Sequence, residues 1–358
     1  MARIRVLIID DSPLARRVLS DALARDPGIE VVGVASDAAF ARDKLARLSV
    51  DVVTLDLEMP RLDGLSFLRA MLAVKPLPTL VISAFSPCGG EVALRALELC
   101  AVDVLPKPEG SLDECGEAFA AELVEKVKVA ARAKVHPRRR VLAAGTFPAP
   151  TLLEAIRAPA AGRVAEMRGL VILLGASTGG CAAIPEILAT FPRDAPPVVC
   201  VQHIAAGFSA IFAARLDRLS NLRAVEARSG DFLEPGHVYV APGGSQLTLV
   251  GAARPMVQVH PAAPGDMHRP CIDLTFRSAA ALGPRVLAAL LTGMGADGAD
   301  GLKAIRDAGG FTLAQDEATS VIYGMPREAA QRGAASVVAP LDAIADRLLS
   351  EARRRRQA

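Results

Sequence analysis

Residues 4–13 read Ile-Arg-Val-Leu-Ile-Ile-Asp-Asp-Ser-Pro, an apolar run that stops at two aspartates, a serine and a proline. The mostly aliphatic and β-branched residues predict a buried strand, Ile4–Asp10. Ser12 can cap a following helix with its side-chain oxygen, and Pro13 suits the first helical position because it has no N–H to satisfy. The stretch therefore predicts a strand that runs directly into a helix, the opening unit of an α/β sheet.

The same alternation continues through residue 125. Further strands are predicted at Glu30–Ala35, Asp51–Asp56, Thr79–Ser83 and Val102–Leu105, with amphipathic helical segments between and after them. Five strands that alternate with about five helices predict a doubly wound parallel sheet of the flavodoxin type, a (βα)5 domain.

The chain is too long for one such domain, because 358 residues exceed what one hydrophobic core normally organises. Residues 1–125 carry 13 basic and 20 acidic side chains, whereas 126–168 carry ten basic and two acidic ones, so the formal net charge of +2 conceals an acidic head and a basic middle. We predict a first domain at 1–125, a basic linker at 126–168, a second domain at 169–350 and an arginine-rich tail at 351–358.

Composition excludes several classes of protein. Apolar residues make up 51% and charged residues 22%, which excludes a disordered chain. The six cysteines show no CxxC spacing, so neither a zinc knuckle nor a disulfide framework is indicated. The apolar run Val6 to Ile9 is too short for a signal peptide and no stretch approaches a membrane span, so we expect a cytoplasmic protein.

The second domain also alternates strands and helices. Its predicted strands are Leu170–Leu174, Pro197–Val201, His237–Ala241, Gln246–Val250 and Arg285–Leu291, and its predicted helices cover about 179–190, 207–219, 271–282 and 298–308. We predict a doubly wound, mostly parallel sheet. Tyr239 to Val250, with the turn Pro242-Gly243-Gly244 inside it, predicts a β-hairpin attached to that sheet.

Polar side chains gather at the predicted strand ends of the first domain. Asp10 and Asp11 end the first strand, Asp56 the third and Ser83 the fourth, and Lys107 follows the fifth. Because the carboxyl ends of parallel strands share one edge, these side chains should converge there. A hard cation such as Mg²⁺ would keep clustered carboxylates ionised, and an aspartate beside it, with a lysine and a hydroxyl nearby, suits phosphoryl acceptance at Asp56.

The first domain resembles the receiver domain of response regulators. The resemblance rests on Ile8-Ile9-Asp10-Asp11-Ser12, Leu55-Asp56-Leu57-Glu58-Met59-Pro60, Ser83-Ala84 and Leu105-Pro106-Lys107-Pro108. It implies that a histidine kinase phosphorylates Asp56, that Asp10, Asp11, Asp56 and the Glu58 carbonyl surround Mg²⁺, and that Ser83 and Lys107 sense the phosphoryl group. It also implies a cis Lys107–Pro108 bond. Val104 departs from the pattern, since receivers often carry an aromatic residue there.

The second domain contains the parts of a serine hydrolase. Gly175-Ala176-Ser177-Thr178-Gly179 fits G-x-S-x-G, in which a sharp strand-to-helix turn exposes a serine hydroxyl. Of the five histidines, only His203 directly follows an apolar parallel-type strand and precedes a helix. Asp297 follows a third strand, so a nucleophile, a base and an orienting acid are expected at one edge.

These motifs also allow two other interpretations. Ser177 could simply cap a helix in a Rossmann turn. Gly293-Met294-Gly295-Ala296-Asp297-Gly298 also satisfies G-x-G-x-x-G, with Asp316 further on, which is the dinucleotide fingerprint. Against the second stands Asp297, whose carboxylate would face a pyrophosphate at the helix N-terminus.

The second domain resembles the catalytic domain of the chemotaxis protein-glutamate methylesterase family, CheB. The motifs that carry the resemblance are Gly175-Ala176-Ser177-Thr178-Gly179-Gly180, Gln202-His203, Gly236-His237-Val238-Tyr239-Val240-Ala241-Pro242-Gly243, Leu291-Thr292-Gly293-Met294-Gly295-Ala296-Asp297-Gly298 and Tyr323-Gly324-Met325-Pro326. The resemblance implies that Ser177 is the nucleophile, His203 the general base and Asp297 its orienter, with Thr178 and Met294 in the oxyanion hole.

The same resemblance implies the function and the partners. Members of the family hydrolyse glutamyl methyl esters on chemoreceptors, deamidate certain glutamines, need no cofactor for the esterase reaction and become active when the receiver is phosphorylated. A chemotaxis histidine kinase would be the phosphodonor and methylated chemoreceptors the substrates, so the chain would meet the membrane only through receptors.

The alternative is a regulator that acts by binding a partner protein, or nucleic acid through the basic linker or Arg353–Arg356. No helix-turn-helix pattern accompanies those charges, so we expect no nucleic-acid partner.

Overall fold

The computed structural model describes residues 2–59, 62–83, 87–107, 117–135 and 169–357. The chain divides into two compact units, Met1–Gly145 and Thr146–Ala358. Most of the predicted linker, including residues 136–168, lies outside the described residues, so the domain limits proposed from the sequence stay predictions.

The first unit has the predicted flavodoxin-type sheet. Its strands are β1 (Ile4–Ile9), β2 (Ile29–Ala35), β3 (Val52–Leu55), β4 (Glu58–Met59), β5 (Leu62–Asp63), β6 (Thr79–Ser83) and β7 (Asp103–Pro106), and its helices are α1 (Pro13–Ala24), α2 (Ala38–Arg47), α3 (Gly64–Val74), α4 (Pro87–Glu98) and α5 (Glu117–Ala130). The five longer strands are parallel in the order β2-β1-β3-β6-β7, which confirms the predicted class. The short antiparallel pair β4-β5 was not predicted.

Local chemistry explains how this unit begins and ends. The Ser12 side chain accepts a hydrogen bond from the Ala15 N–H at 3.3 Å, and Pro13 opens α1 as predicted. Helix α5 passes the predicted domain limit at residue 125 and buries Val127 and Ala130 in the core of the first unit. The segment just after residue 125 therefore packs as part of this domain.

The second unit is a larger parallel sheet covered by helices. Its strands are β8 (Val171–Ala176), β9 (Val198–Gln202), β10 (Arg223–Glu226), β11 (His237–Val240), β12 (Ser245–Val250), β13 (Met256–Pro261), β14 (Val286–Leu290), β15 (Phe311–Gln315) and β16 (Val337–Ala339). Its helices are α6 (Gly180–Leu188), α7 (Phe208–Leu219), α8 (Ile272–Ala280), α9 (Ala299–Asp307), α10 (Met325–Gln331) and α11 (Leu341–Gln357). Seven strands are parallel in the order β10-β11-β9-β8-β14-β15-β16.

The predicted location of the β-hairpin is wrong. Strand β11 pairs in parallel with β9 on one side and β10 on the other, so neither of its edges is open to β12. Strand β12 instead pairs antiparallel with β13, which makes the hairpin span residues 245–261. A short apolar run such as Val238–Val240 can form either a hairpin strand or an internal parallel strand, so the sequence pattern of β11 alone does not separate the two.

The C-terminal residues predicted as a tail continue helix α11. Ala352 is buried, and the Glu351 carboxylate pairs with Arg354 at 2.7 Å and Arg355 at 2.6 Å. Pairs three and four residues apart lie on one face of a helix, so these charges support the last turns.

None of the helices in the described segments is both long and apolar enough to cross a membrane.

Candidate functional site

Ser177 sits on a tight turn between β8 and α6. Its backbone N–H donates to the Thr292 carbonyl at 3.0 Å, which anchors the turn to the loop after β14. Gly179 has φ +87°, and a Cβ on Gly180 would lie 2.5 Å from the Ala176 Cβ and overlap the Gln202 amide oxygen. The turn thus requires both glycines, and it leaves the Ser177 side chain half-buried rather than enclosed.

His203 follows β9 and joins Ser177 at the same sheet edge. Its backbone N–H donates to the Ala176 carbonyl at 3.0 Å, so the ends of β8 and β9 remain in register. The imidazole Nδ1 lies 3.1 Å from Ser177 Oγ, and Nε2 lies 2.7 Å from Asp297 Oδ2. Because an ionised carboxylate only accepts, Nε2 carries the proton and Nδ1 is the free base that faces the serine.

Asp297 is held by donors from the start of α8 as well as by His203. The backbone N–H of Ile272 donates to its Oδ2 at 2.8 Å and that of Asp273 to its Oδ1 at 2.9 Å, and the Cys271 thiol lies 3.3 Å from Oδ1. Burial raises the pKa of Asp297, but the hydrogen bond and charge of His203, together with the backbone donors, outweigh it and hold this pKa well below its usual range. Asp297 is therefore ionised and can orient His203.

The assembled triad favours the hydrolase interpretation over the dinucleotide fingerprint. The loop Gly293–Gly298 does connect β14 to α9, as that fingerprint requires. However, the Asp297 carboxylate lies against His203, which gives the loop a role without a nucleotide.

The residues predicted for the oxyanion hole flank Ser177. Thr178 is the next residue in the turn, and its carbonyl accepts from the Thr292 hydroxyl at 2.9 Å. Met294 follows Gly293, whose backbone packs beside the Ser177 Cβ. Within the described segments, neither the Thr178 nor the Met294 backbone N–H donates to a protein acceptor. Both are therefore available for an oxyanion, and their assignment stays a prediction.

Gly293 offers a steric test of this geometry. A Cβ at this position would lie 2.7 Å from the Ser177 Cβ and closer still to Met325 Sδ. We expect Gly293→Ala to displace the nucleophile, lowering kcat by about 100-fold and stability by about 1–3 kcal/mol. Hydrolysis rates and thermal unfolding measure the two effects. Gly265→Ala is the matched control, since its Cβ would meet nothing within 4 Å, and wild-type activity in Gly293→Ala would contradict the geometry.

Gln202 and His268 also contact the triad, and neither was predicted as a site residue. The Gln202 amide donates through Nε2 to the carbonyls of Ser177 at 2.8 Å and His203 at 3.1 Å, so it ties these two residues together. His268, which the sequence places in a Pro/Gly-rich loop, stacks on His203 with ring centroids 4.4 Å apart and planes 10° apart. Gln202 stands in the Gln202-His203 motif without a role that the sequence reveals, and no local signal identifies His268.

The acidic pocket of the first unit brings together four of the residues predicted there, the three aspartates and Lys107. Lys107 Nζ lies 2.6 Å from Asp56 Oδ2 and 3.1 Å from Asp10 Oδ2, and ligand atoms of Asp10, Asp11 and Asp56 lie within 4.8 Å of one another. Asp10 and Asp56 are buried, as is Ser83 at the end of β6. Pro108 lies outside the described residues, so the cis Lys107–Pro108 bond stays a prediction.

Burial and opposing charges shift the pKa values of Asp10 and Lys107 in this pocket. Burial raises the pKa of Asp10, with the Asp56 charge adding to the rise and Lys107 opposing it. Burial alone would lower the pKa of Lys107, yet the hydrogen bond with Asp56 and the charges of Asp56 and Asp10 raise it. Asp10 Oδ2 is buried without a hydrogen bond of good geometry in the described part of the chain, even though Lys107 is close. A carboxylate cluster with such an oxygen fits a hard cation such as Mg²⁺.

Known proteins match both units. A family model described as CheB methylesterase matches residues 172–348, and a model described as response regulator receiver domain matches residues 6–115. A Xanthomonas euvesicatoria protein named protein-glutamate methylesterase/protein-glutamine glutaminase 1 is 46% identical over 351 residues, which cover 97% of each chain. A Pseudomonas aeruginosa protein named protein-glutamate methylesterase/protein-glutamine glutaminase 2 is 47% identical over 354 residues, or 98% of each chain.

Two solved structures from Thermotoga maritima are similar to separate parts of the chain. The CheB methylesterase catalytic domain is 34% identical and covers 51% of this chain and 98% of its own, with a TM-score of 0.49. The response regulator domain of CheB is 36% identical and covers 37% of this chain and 98% of its own, with a TM-score of 0.35.

Proposed function

Because the chain belongs to the CheB family of protein-glutamate methylesterases and carries a response regulator receiver domain, we propose that it is a phosphorylation-activated serine hydrolase acting on chemoreceptors. It would remove methyl groups from glutamyl methyl esters and deamidate glutamines, and so tune chemotaxis adaptation. The observation that carries the proposal is the continuous hydrogen-bonded path from Ser177 through His203 to Asp297. This assembled path disfavours the alternative of a regulator that only binds.

Acylation follows from the positions of the triad atoms. His203 Nδ1 takes the proton of Ser177 Oγ as this oxygen attacks the ester carbonyl. The resulting imidazolium is stabilised by Asp297 at Nε2, and the developing oxyanion is stabilised by the Thr178 and Met294 N–H groups. His203 then gives its proton to the methoxide, and methanol leaves the acyl-enzyme.

Deacylation repeats these steps with water. His203 Nδ1 takes a proton from a water molecule, the resulting hydroxide attacks the acyl carbon, and Ser177 Oγ leaves with that proton. The product is a free glutamate carboxylate. A glutamine substrate would give the same acyl-enzyme with release of ammonia, so one triad serves both reactions. The esterase steps use groups of the chain and water.

The receiver residues support regulation by phosphorylation. We assign Asp56 as the phosphoryl acceptor, Ser83 and Lys107 as the groups that sense it, and Asp10, Asp11, Asp56 and the Glu58 carbonyl as the groups that would hold Mg²⁺. When bound, the ion would neutralise the carboxylates and the phosphoryl oxygens. Lys107 lies 2.6 Å from Asp56 Oδ2, so a phosphoryl group on this carboxylate would change the ion pair.

The partners follow from the two activities. We propose a chemotaxis histidine kinase as phosphodonor and methylated chemoreceptors as substrates. Association with the membrane would occur only through these receptors, and no nucleic acid is expected. We also propose 1–125 as the receiver, 126–168 as the linker and 169–350 as the catalytic domain, with residues 126–130 of the linker completing helix α5 of the receiver.

Methanol release tests the catalytic proposal. The purified full chain is incubated with receptor-containing membranes that carry radiolabelled methyl esters, and volatile methanol is collected over time. We expect release that depends on the chain and rises with a small-molecule phosphodonor and Mg²⁺. If phosphodonor-treated chain releases no methanol above the membrane background, the proposed function is wrong.

Asp56→Asn tests the regulatory proposal. The substitution keeps the shape of the side chain but removes the phosphoryl acceptor, so we expect basal methanol release to persist and phosphodonor activation to vanish. Asp43→Asn is the matched control because Asp43 pairs only with Arg47 on the surface of α2 among the described residues. It should keep full activation. Activation of Asp56→Asn to the wild-type level would refute Asp56 as the acceptor.

A further inference from the structure

The segment that carries His268 is held firmly against the triad. His268 lies between β13 and α8, and its carbonyl accepts from Gln246 Nε2 at 2.8 Å. The same amide nitrogen donates to Asp266 at 3.0 Å, while the Gln246 amide oxygen accepts from the Cys271 N–H at 2.8 Å. Gln246 is buried, so it clamps the segment on both sides of His268. The hydrogen bonds of Gln246 therefore hold the backbone on both sides of His268 in place, with the His268 ring against His203.

The stack supplies a constraint that the triad hydrogen bonds do not. Ser177 and Asp297 contact the two nitrogens at the edge of the His203 ring, at 3.1 and 2.7 Å. Contacts at two edge atoms still allow the ring to tilt about the line that joins them. A ring stacked on its face at 4.4 Å and 10° opposes this tilt and also keeps water from that face.

We propose that His268 is a positioning residue for the reaction, whose neutral ring fixes the plane of the His203 imidazole and stabilises the imidazolium formed during proton transfer. This inference rests on the proposed function, because it assumes that His203 acts as the base. An aromatic face attracts a cation placed over it, so the stack strengthens as His203 gains its proton. His268 acts through its stacking contact with the His203 ring.

The charges around His268 are consistent with a neutral ring. His203 and Asp297 face it, and burial first, then the His203 charge, lower the pKa of His268, while Asp297 opposes the shift. On its own segment, Arg269 donates to the carbonyls of Asp266 at 3.1 Å and Pro264 at 3.3 Å. A protonated His268 would repel the imidazolium of His203, so the arrangement works only above the pKa of His268.

Two substitutions distinguish the effect of the stacked ring from the effect of its protonation. His268→Ala removes the stack, and we expect kcat to fall about 10- to 100-fold with KM changed less than about twofold, since the loss is in the alignment of the base. His268→Phe keeps a flat ring that cannot titrate, and we expect it to retain kcat within about threefold of wild type. His237→Ala is the matched control, because His237 also stacks on an aromatic ring, that of Tyr239, outside the triad.

Two readouts distinguish positioning from a general structural role and from failure of the proposed function. The first is the rate at which a fluorophosphonate labels Ser177 in the full chain, which needs the triad but no receptor. The second is the downfield proton resonance of the His203 Nε2–H, expected to broaden in His268→Ala and to persist in His268→Phe. Wild-type chain that reacts with the fluorophosphonate but releases no methanol would refute the proposed function alone.

The proposal is overturned if His268→Ala labels Ser177 within twofold of the wild-type rate. It is also overturned if His268→Phe is as impaired as His268→Ala, because the flat ring would then not be the cause. If His268→Ala unfolds, the labelling rate and the Nε2–H resonance of His268→Phe decide the question.

Discussion

Replacing Ser177 with alanine is expected to reduce methanol release by about 10⁵- to 10⁶-fold, to the background of the assay. In the proposed mechanism the hydroxyl oxygen bonds to the acyl group, and no other group lies at the 3.1 Å position facing His203 Nδ1 among the described contacts. Thr178 and Met294 would still offer their N–H groups, so any residual rate would come from binding and oxyanion stabilisation.

The measurement compares Ser177→Ala with wild type after phosphodonor treatment, using methanol release and fluorophosphonate labelling together. Ser350→Ala is the matched control, since Ser350 is exposed on α11. Thermal unfolding should show the same transition in all three chains, because the lost hydroxyl supports no packing. Wild-type methanol release from Ser177→Ala would show that another residue is the nucleophile.

Replacing Asp297 with asparagine is expected to lower kcat by about 10⁴-fold while leaving the fold intact. An asparagine can place its NH₂ group toward Nε2, which would then have to accept, and the imidazole proton would move to Nδ1. The nitrogen that faces Ser177 at 3.1 Å would carry a hydrogen and could not act as a base.

Single-turnover labelling and steady-state methanol release measure this effect. Asp307→Asn is the matched control, because Asp307 is an exposed residue that pairs with Lys303 at the surface of α9. Equal rates for Asp297→Asn and wild type would refute the assigned role of the carboxylate.

The lowered pKa of Asp297 also has a consequence for stability. A carboxyl whose pKa is lower in the folded than in the unfolded chain stabilises the fold above its unfolded pKa, about 3.9, and loses this contribution as the pH falls through the folded value. Acid unfolding of wild type should therefore be steeper than that of Asp297→Asn below about pH 4. Acid unfolding of the two chains, measured side by side by circular dichroism, tests this difference in slope.

The features that could be predicted from the sequence are those fixed by the ends of strands. Asp10, Asp56, Ser177 and His203 each follow an apolar run, and parallel pairing carries every such end to one edge without further information. The fold class and the convergence of these side chains therefore follow from local pattern together with one topological rule.

The parts that were not predictable depend on contacts between distant segments. The stack of His268 on His203 forms because Gln246 clamps a loop twenty or more residues along the chain, and periodicity carries no trace of such a contact. The position of the hairpin depends on whether β11 pairs with β9 or β12, which is decided by competition between long-range partners. Short strands such as β16 add too few residues for a pattern to emerge.

The order of the seven-stranded sheet determines which local opening motions would separate the triad side chains. Ser177, His203 and Asp297 follow β8, β9 and β14, and these three strands are adjacent in the middle of the sheet, while β10 and β16 form its edges. Fraying starts at edges and termini, where opening costs little free energy. The edge strands can thus open and close without moving the three catalytic groups apart. We therefore expect Ser177, His203 and Asp297 to stay together in the region of the domain that opens most rarely, even when the edge strands open.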